Sequence, residues 1–70
     1  MMPLTLADIG EVQIIRRVGG GEDQKRFLAN LGFVPGGEVT VISKISGNVI
    51  VNVKESRVAV SEVLAAKIFV

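Results

Sequence analysis

Apolar residues recur at helical spacing in one segment of this chain, EDQKRFLANL, which begins at Glu22. Phe27, Leu28 and Leu31 share one face of the helix that this spacing predicts. Glu22 also lies four positions before Arg26, which is the spacing of an ion pair on a helix surface. We therefore expect a helix that lays one apolar stripe across the rest of the fold.

A clear stop follows this predicted helix. Gly32 can adopt the left-handed conformation that closes the open carbonyls at a helix end, and Phe33 should then fold back onto Leu28. Pro35 fixes its own φ and Gly36 supplies a positive φ, which together predict a type II turn. The chain is therefore expected to reverse direction directly after the helix.

Outside the helix, apolar residues alternate in short runs that predict strands. The predicted strands are Glu11–Val18, Glu38–Ile45, Val49–Lys54, Arg57–Val60 and Lys67–Val70. Val12, Ile14 and Val18 share one face of the first strand, and Ile15 breaks the alternation. This break predicts either a bulge at Ile15 or a strand with both faces partly covered.

The second predicted strand alternates well, with Val39, Val41 and Ile45 on one face. The segment Ser46–Asn48 then predicts a hairpin, because glycine and asparagine tolerate the positive φ of tight turns. A further turn is predicted at Glu55–Ser56, between the third and fourth strands.

Short helical turns are predicted near both ends of the chain. The segment Pro3–Gly10 should form one of them, with Leu6 and Ile9 facing inward. Near the other end, Ser61 can cap a single turn that brings Leu64 inward. The last strand is then expected beside the first.

Five short strands, tight turns and one helix after the first strand predict a mainly β fold closed into a small barrel, because closure hides the strand edges. Valine and isoleucine, which favour strands, supply much of the 49% of residues that are apolar. With 70 residues, the chain is expected to form a single domain over positions 1–70.

Charge and composition narrow the classes of function. The chain has 8 basic and 7 acidic residues, a balance that argues against a dedicated nucleic-acid-binding protein. It also lacks tryptophan and tyrosine, which would stack on bases. No run approaches the roughly 18 apolar residues of a membrane span, and the first residues lack the features of a signal peptide. We therefore expect a cytoplasmic protein, in agreement with the absence of cysteine.

The sequence offers little for catalysis or metal binding. Without histidine and cysteine, the commonest general base and the strongest nucleophile are missing, so we expect neither an enzyme nor a bound cofactor. The carboxylates are scattered, which argues against a tight Fe²⁺ site, and no residue is predicted as a metal ligand. The run Gly19–Gly21 could cradle a phosphate, but it lacks the P-loop pattern. A flexible turn that lets the helix swing across the barrel mouth is the favoured interpretation.

The only aromatic residues are Phe27, Phe33 and Phe69, and all three are expected in the core. A groove for proline-rich peptides is therefore not predicted, because such grooves are lined by aromatic side chains.

Four features together resemble the FeoA domain family: Leu4-x-x-x-x-x-Gly10, a glycine-rich run before a helix with Lys25-Arg26-x-Leu28, the element Leu31-Gly32-x-x-Pro35-Gly36, and Ala65-x-x-Ile68-x-Val70. The similarity runs nearly from end to end. The Leu-Gly-x-x-Pro-Gly element after a basic helix is its most specific part.

The resemblance implies an SH3-like β-barrel of about five strands, with the helix between strands one and two. It also implies a role in ferrous iron transport beside FeoB, a membrane permease that carries a cytosolic GTPase domain. The protein would then meet the membrane only through this partner and would not bind nucleic acid. Transition-metal binding is implied only at the level of the family. The same domain forms the C-terminal module of some metal-dependent repressors of the diphtheria-toxin-repressor type. We expect the stand-alone form here, because no DNA-binding domain precedes it.

Two functions stay open at this point. One is an accessory or regulatory protein of ferrous iron uptake that binds the cytosolic part of FeoB, and the alternative is a stand-alone SH3-like module in metal-responsive transcriptional regulation. Direct Fe²⁺ buffering is a third, weaker idea, and edge-to-edge pairing of strands could produce a homo-oligomer.

Two groups of residues carry these hypotheses. The predicted partner-contact residues are Lys25, Arg26, Arg57 and Leu64. The residues predicted to set the geometry of the family motif are Gly21, Leu31, Gly32, Pro35 and Gly36. A solvated helix face is the simpler interpretation of the basic pair, because exposed charges need no special reason.

Overall fold

Two antiparallel sheets and one main helix make up the structure, a computed structural model that describes residues 1–70. The strands are β1 (Val12–Ile14), β2 (Arg17–Val18), β3 (Glu38–Ile45), β4 (Asn48–Val53), β5 (Ser56–Ser61) and β6 (Ile68–Phe69). The helices are α1 (Glu22–Leu31), α2 (Glu62–Ala65) and a 3-10 turn (Leu4–Leu6). One sheet has the order β1-β3-β4-β5, and β2 pairs with β6 in the other.

The first predicted strand is in fact two strands, which belong to different sheets. At the break, the Ile15 N–H donates to the Gly37 carbonyl (2.9 Å), and the Gly36 N–H donates to the Ile15 carbonyl (2.7 Å). With its backbone held by these two hydrogen bonds, Ile15 is buried in the core, whereas the side chains of Val12 and Ile14 are 61% and 41% exposed. The single strand face predicted for Val12, Ile14 and Val18 was therefore wrong, because the chain changes sheets where the alternation breaks.

The end of α1 confirms the predicted stop. Gly32 has φ +111°, and its N–H donates to the Ala29 carbonyl (3.0 Å) while the Phe33 N–H donates to the Leu28 carbonyl (2.9 Å). This pair of bonds defines the Schellman motif, and Phe33 is buried behind it.

The predicted type II turn follows the Schellman motif directly. Gly36 has φ +88°, and the Gly37 N–H donates to the Val34 carbonyl (3.0 Å). The reversal of the chain after the helix is therefore confirmed.

The apolar face of α1 is narrower than its spacing predicts. Leu28 is fully buried and Leu31 packs against the core, but Phe27 is 51% exposed, so its predicted core position is wrong. Leu28 and Leu31 lie three apart on one face, and Phe27 stands about 100° away from Leu28 around the helix. The surface ion pair of this helix joins Arg26 to Asp23 (4.0 Å) rather than to the residue four positions earlier.

A bulge in β3 separates its two halves. The register with β4 shifts between Val41 and Ser43. Val39 and Val41 before the shift are buried, whereas Ile45 after it is 58% exposed. The face predicted to be shared with Val39 and Val41 was wrong for Ile45, because one extra residue reverses which face each later side chain takes.

Both hairpins of the larger sheet turn on two residues. In the first, Ser46 and Gly47 have φ +45° and +81°, as the predicted hairpin requires. In the second, the turn lies at Lys54 and Glu55, one residue earlier than predicted, because Ser56 already pairs in β5. Lys54 and Glu55 have φ +48° and +63°, although neither is glycine.

Replacing Glu55 with glycine is expected to stabilise the protein. A left-handed conformation costs a non-glycine residue about 1–2 kcal/mol in the folded state, and glycine removes this strain. Glycine is also more flexible in the unfolded chain, which offsets about 0.5–1 kcal/mol of that gain. For a domain of this size the remaining gain raises Tm by roughly 2–6 °C, measurable by thermal denaturation. Glu55→Ala removes the same carboxylate but keeps the strain. An equal gain in both variants would trace the effect to the charge instead of the backbone.

The N-terminal segment contributes different side chains to the core than its pattern predicts. Leu4 and Ala7 are buried, whereas Leu6 and Ile9 are 67% and 58% exposed, so their predicted inward positions are wrong. The Ala7 N–H donates to the Leu4 carbonyl (3.0 Å) across a 3-10 turn. Because a 3-10 helix has three residues per turn, residues three apart face the same way.

The capped C-terminal turn and the position of the last strand are confirmed, whereas Phe69 was wrongly predicted in the core and is half-buried outside it. Ser61 caps α2, its Oγ accepting the Leu64 N–H (3.2 Å), and Leu64 packs against the core. The last strand lies beside β2, the second part of the predicted first strand, and Phe69 also bridges to Pro3. The core that results contains no buried polar side chain.

A basic groove as candidate functional site

A groove of about 340 Å³ lies between α1 and β2. Its lining residues are Arg16, Arg17, Val18, Lys25, Ala29, Phe33, Val34 and Pro35. Three of them are cationic and the other five are apolar. The groove therefore combines positive charge with an apolar surface.

One wall of the groove is held by β6. The Arg16 N–H donates to the Phe69 carbonyl (2.7 Å), and the Arg17 guanidinium carbon lies 4.5 Å from the centroid of the Phe69 ring. A cation over an aromatic face is attracted by the ring quadrupole, so Phe69 restricts where the Arg17 side chain can go. The break between β1 and β2 thus places two consecutive arginines at the groove.

The opposite wall is α1, whose position depends on the glycine run before it. The Gly19 N–H donates to the Lys67 carbonyl (2.7 Å), which ties the run to the start of β6. Gly20 has φ +93°, and a Cβ there would collide with Oε1 of Gln24. The Gln24 Oε1 accepts the Gly21 N–H (3.4 Å) at the start of the helix. These contacts define a tight connection that brings Lys25 close to β2.

The floor comes from the end of α1 and the turn after it. Phe33 is only 1% exposed, while Val34 is half-buried and Pro35 exposed. The Schellman motif and the type II turn therefore fix the apolar surface between the two walls.

The electrostatics of the groove differ from those of the whole chain. No acidic residue lines it, and none of its three cations forms an ion pair, since the one salt bridge joins Arg26 to Asp23. The groove holds three of the eight basic residues, which leaves five basic and seven acidic residues elsewhere. A net charge of +1 thus combines a positive groove with a slightly negative remainder of the chain.

The structure separates the four predicted contact residues. Lys25 lines the groove, whereas Arg26 lies on the same helix outside it. Arg57 pairs with Asn52 in the larger sheet, and the half-buried Leu64 packs against the core. A role in binding stays a prediction for all four, and of these only Lys25 has a place in the groove.

From the sequence, Arg16, Arg17 and Arg57 could extend the basic surface of the helix only if they share a face with it, which the sequence does not show. The structure instead brings both arginines together with Lys25. The sequence signal was present, as an arginine pair just before a glycine run and a basic helix. Its meaning depends on where the chain turns after Val18.

Of the five motif residues, the three glycines act through backbone geometry and the other two through their side chains. Gly21 is the N-cap of α1, and Gly32 and Gly36 take the positive φ values of the helix end and the turn. Leu31 packs against the core, and Pro35 lines the groove. The motif therefore shapes the floor of the groove and the position of its helix.

A second hollow, of about 270 Å³, lies on the larger sheet. Its lining residues are Val12, Glu38, Thr40, Asn52, Lys54 and Glu55. One lysine and two glutamates line this hollow, so it carries charges of both signs. Nowhere in the chain do three histidine, cysteine, aspartate or glutamate side chains lie close enough together to hold a metal ion.

Among the helices, none combines the length and the apolar character needed to cross a membrane.

Comparison with known proteins connects this architecture to a family. A family model for the FeoA domain matches residues 2–70. The chain belongs to the FeoA family. It is also 34% identical over 70 residues to the "Putative Fe(2+) transport protein A" of Methanocaldococcus jannaschii, an alignment that covers 100% of this chain and 85% of the relative. The resemblance to this ferrous iron transport family is confirmed.

Solved FeoA structures share the fold. The crystal structure of an iron uptake regulatory protein (FeoA) superposes with a TM-score of 0.87 at 28% identity, covering 96% of this chain and 91% of the other. The solution structure of FeoA from Chlorobium tepidum superposes with a TM-score of 0.88 at 21% identity, covering 97% of this chain and 67% of the other. FeoA of Stenotrophomonas maltophilia, described as a prokaryotic SH3 domain protein, superposes with a TM-score of 0.80 at 23% identity. This alignment covers 99% of this chain and 88% of the other. The SH3-like expectation for this FeoA-family chain is confirmed, with six strands instead of five because the first is divided.

Proposed function

We propose that this protein is a cytosolic accessory protein of ferrous iron uptake that binds the cytosolic, GTPase-containing part of a FeoB-type permease. Its family is related to ferrous iron transport, as is the archaeal relative. The observation that carries the proposal is the open groove between α1 and β2, where three unpaired cations surround an apolar floor. Such a surface suits binding to another protein, with the permease supplying transport and the GTPase.

Binding rather than catalysis is supported by the chemistry at the groove. Arginine, lysine and aliphatic side chains line it, and these groups bind and orient a partner. Bound there, the protein would favour one conformation of the permease, by as much free energy as its affinity differs between the two states. This mechanism needs only differential binding.

A titration against the isolated cytosolic part of FeoB from the same organism tests the proposal. The protein is labelled at an introduced surface cysteine, which is unique because the chain has none. We expect saturable binding in calorimetry or fluorescence anisotropy. Measurements without nucleotide, with GDP and with a non-hydrolysable GTP analogue then show whether the affinity follows the GTPase cycle.

Absence of binding in all three nucleotide states would contradict the proposal. Binding to duplex DNA that weakens steeply with salt would instead support the alternative, a module in metal-responsive transcriptional regulation. Heat released with anaerobic Fe²⁺ alone would support direct iron buffering.

A further inference from the structure

Resting on the proposed function, we propose that the groove between α1 and β2 binds an acidic segment of the partner that carries a bulky apolar side chain. The groove would recognise the negative charge and the apolar side chain of this segment together. Arg16, Arg17 and Lys25 would meet the carboxylates, and the apolar side chain would lie against the accessible part of the floor, formed by Val34 and Pro35.

The charge on the groove defines the first feature of this ligand. Its three cations come from both sides of the glycine run, two from the β2 side and one from α1, and no acidic side chain of the protein neutralises them. Arginine forms paired hydrogen bonds with carboxylates, and lysine contributes a compact positive charge. Because Arg17 is already stacked on Phe69, it loses little further freedom when it binds a carboxylate.

The floor defines the second feature. A volume of about 340 Å³ lies at the lower end of the range for ligand pockets, which suits one or two side chains better than a whole domain surface. The half-buried Val34 and the exposed Pro35 offer apolar contact between the cations. An apolar side chain seated there would exclude water from the surrounding charge pairs and strengthen them.

The same geometry favours an acidic protein segment over a nucleic acid. Binding to single strands relies on aromatic faces on which bases stack, and Phe33 is only 1% exposed. Phe69 is covered by Arg17 on one face. The cations also converge on one groove and do not extend along a track that could follow a phosphate backbone.

Two charge reversals on the same helix form the central test. Lys25→Glu changes a groove residue, and Arg26→Glu makes the same change in net charge at the next position, outside the groove. We expect Lys25→Glu to weaken binding to the cytosolic part of FeoB at least tenfold, as Arg16→Glu should on the other wall. Arg26→Glu should change it less than twofold, and thermal denaturation confirms that all three variants are folded.

Labelled decapeptides separate the two features of the ligand. The first alternates aspartate with leucine, the second aspartate with serine, and the third serine with leucine. We expect the first to bind at least tenfold more tightly than either of the others, with an affinity that falls as salt is added. Val34→Thr keeps the size of the floor but adds a hydroxyl, and it should weaken only the leucine-containing peptides.

Each outcome bears separately on this site and on the proposed function. If FeoB binds the Lys25→Glu and wild-type proteins equally, the groove assignment is wrong while the accessory function stands. If FeoB never binds but the aspartate–leucine peptide does, and Lys25→Glu abolishes this, the groove is right and the partner is different. If Arg26→Glu weakens binding as much as Lys25→Glu does, the binding depends on the general charge of the helix and not on the groove. If a single-stranded oligonucleotide binds more tightly than the aspartate–leucine peptide, the ligand is a polyanion. Either result would overturn the proposal.

Discussion

Replacing Gly32 with valine is expected to unfold most of the protein. Gly32 has φ +111°, a conformation that strains a β-branched residue by about 1–3 kcal/mol. A Cβ there would also approach Lys54 Cγ and Val53 Cγ2 to 3.3 Å, so a larger side chain would push the β4–β5 hairpin away from the helix end. A chain of this length has only about 3–5 kcal/mol of stability from its core. Most of that stability should therefore be lost.

The matched control is Gly36→Val. Gly36 also has a positive φ, +88°, but a Cβ there would meet nothing within 4 Å. It should therefore show the backbone strain alone and retain a cooperative thermal transition. Circular dichroism melting curves compare the two variants, and an unchanged Tm for Gly32→Val would contradict the assignment of the helix cap.

Truncation of Leu28 to alanine should cost about 2–5 kcal/mol, the range for a fully buried leucine. Leu28 is the one fully buried side chain of α1, so the cavity would lie where the helix meets the core. Since the protein is small, a loss of this size should lower Tm by more than 10 °C or abolish the transition. Chemical denaturation in urea measures the change in the free energy of unfolding.

Phe27→Ala is the matched control on the preceding residue. Phe27 is larger than Leu28, but it is 51% exposed, so its loss should change the free energy of unfolding by no more than about 1 kcal/mol. An equal loss in both variants would show that Phe27 is buried in solution, as the helical spacing alone predicts. Reduced binding of a partner without a loss of stability would instead place Phe27 in an interface.

Much of the local structure could be predicted from the sequence because local chemistry dictates it. Glycine at the end of α1 and in the turn after it accepts a positive φ, so both could be placed from sequence. The hairpin at Ser46 and Gly47 and the cap at Ser61 follow the same logic. The second hairpin was placed one residue late because Lys54 and Glu55 carry no such signal, although both adopt positive φ.

The errors share a cause, which is that periodicity assigns faces only within an unbroken element and does not show which face meets the core. In the first predicted strand, the inward residue is Ile15, because the chain changes sheets there. The bulge after Val41 turned Ile45 outward, and the rotation of α1 left Phe27 at the edge of its buried stripe. Each outcome depends on contacts with distant residues, which local spacing does not contain.

The candidate site divides in the same way between sequence and tertiary structure. The sequence by itself determined the basic residues, the helix with its glycine stop, and the family to which these belong. Only the tertiary structure decided that Lys25 faces Arg16 and Arg17 across a groove while Arg26 and Arg57 lie elsewhere. The physical reason is that a helix end or a turn is set by the backbone preferences of a few neighbouring residues. The groove is set by how β2 and α1 pack against the core and against β6, which lies about fifty residues later in the chain.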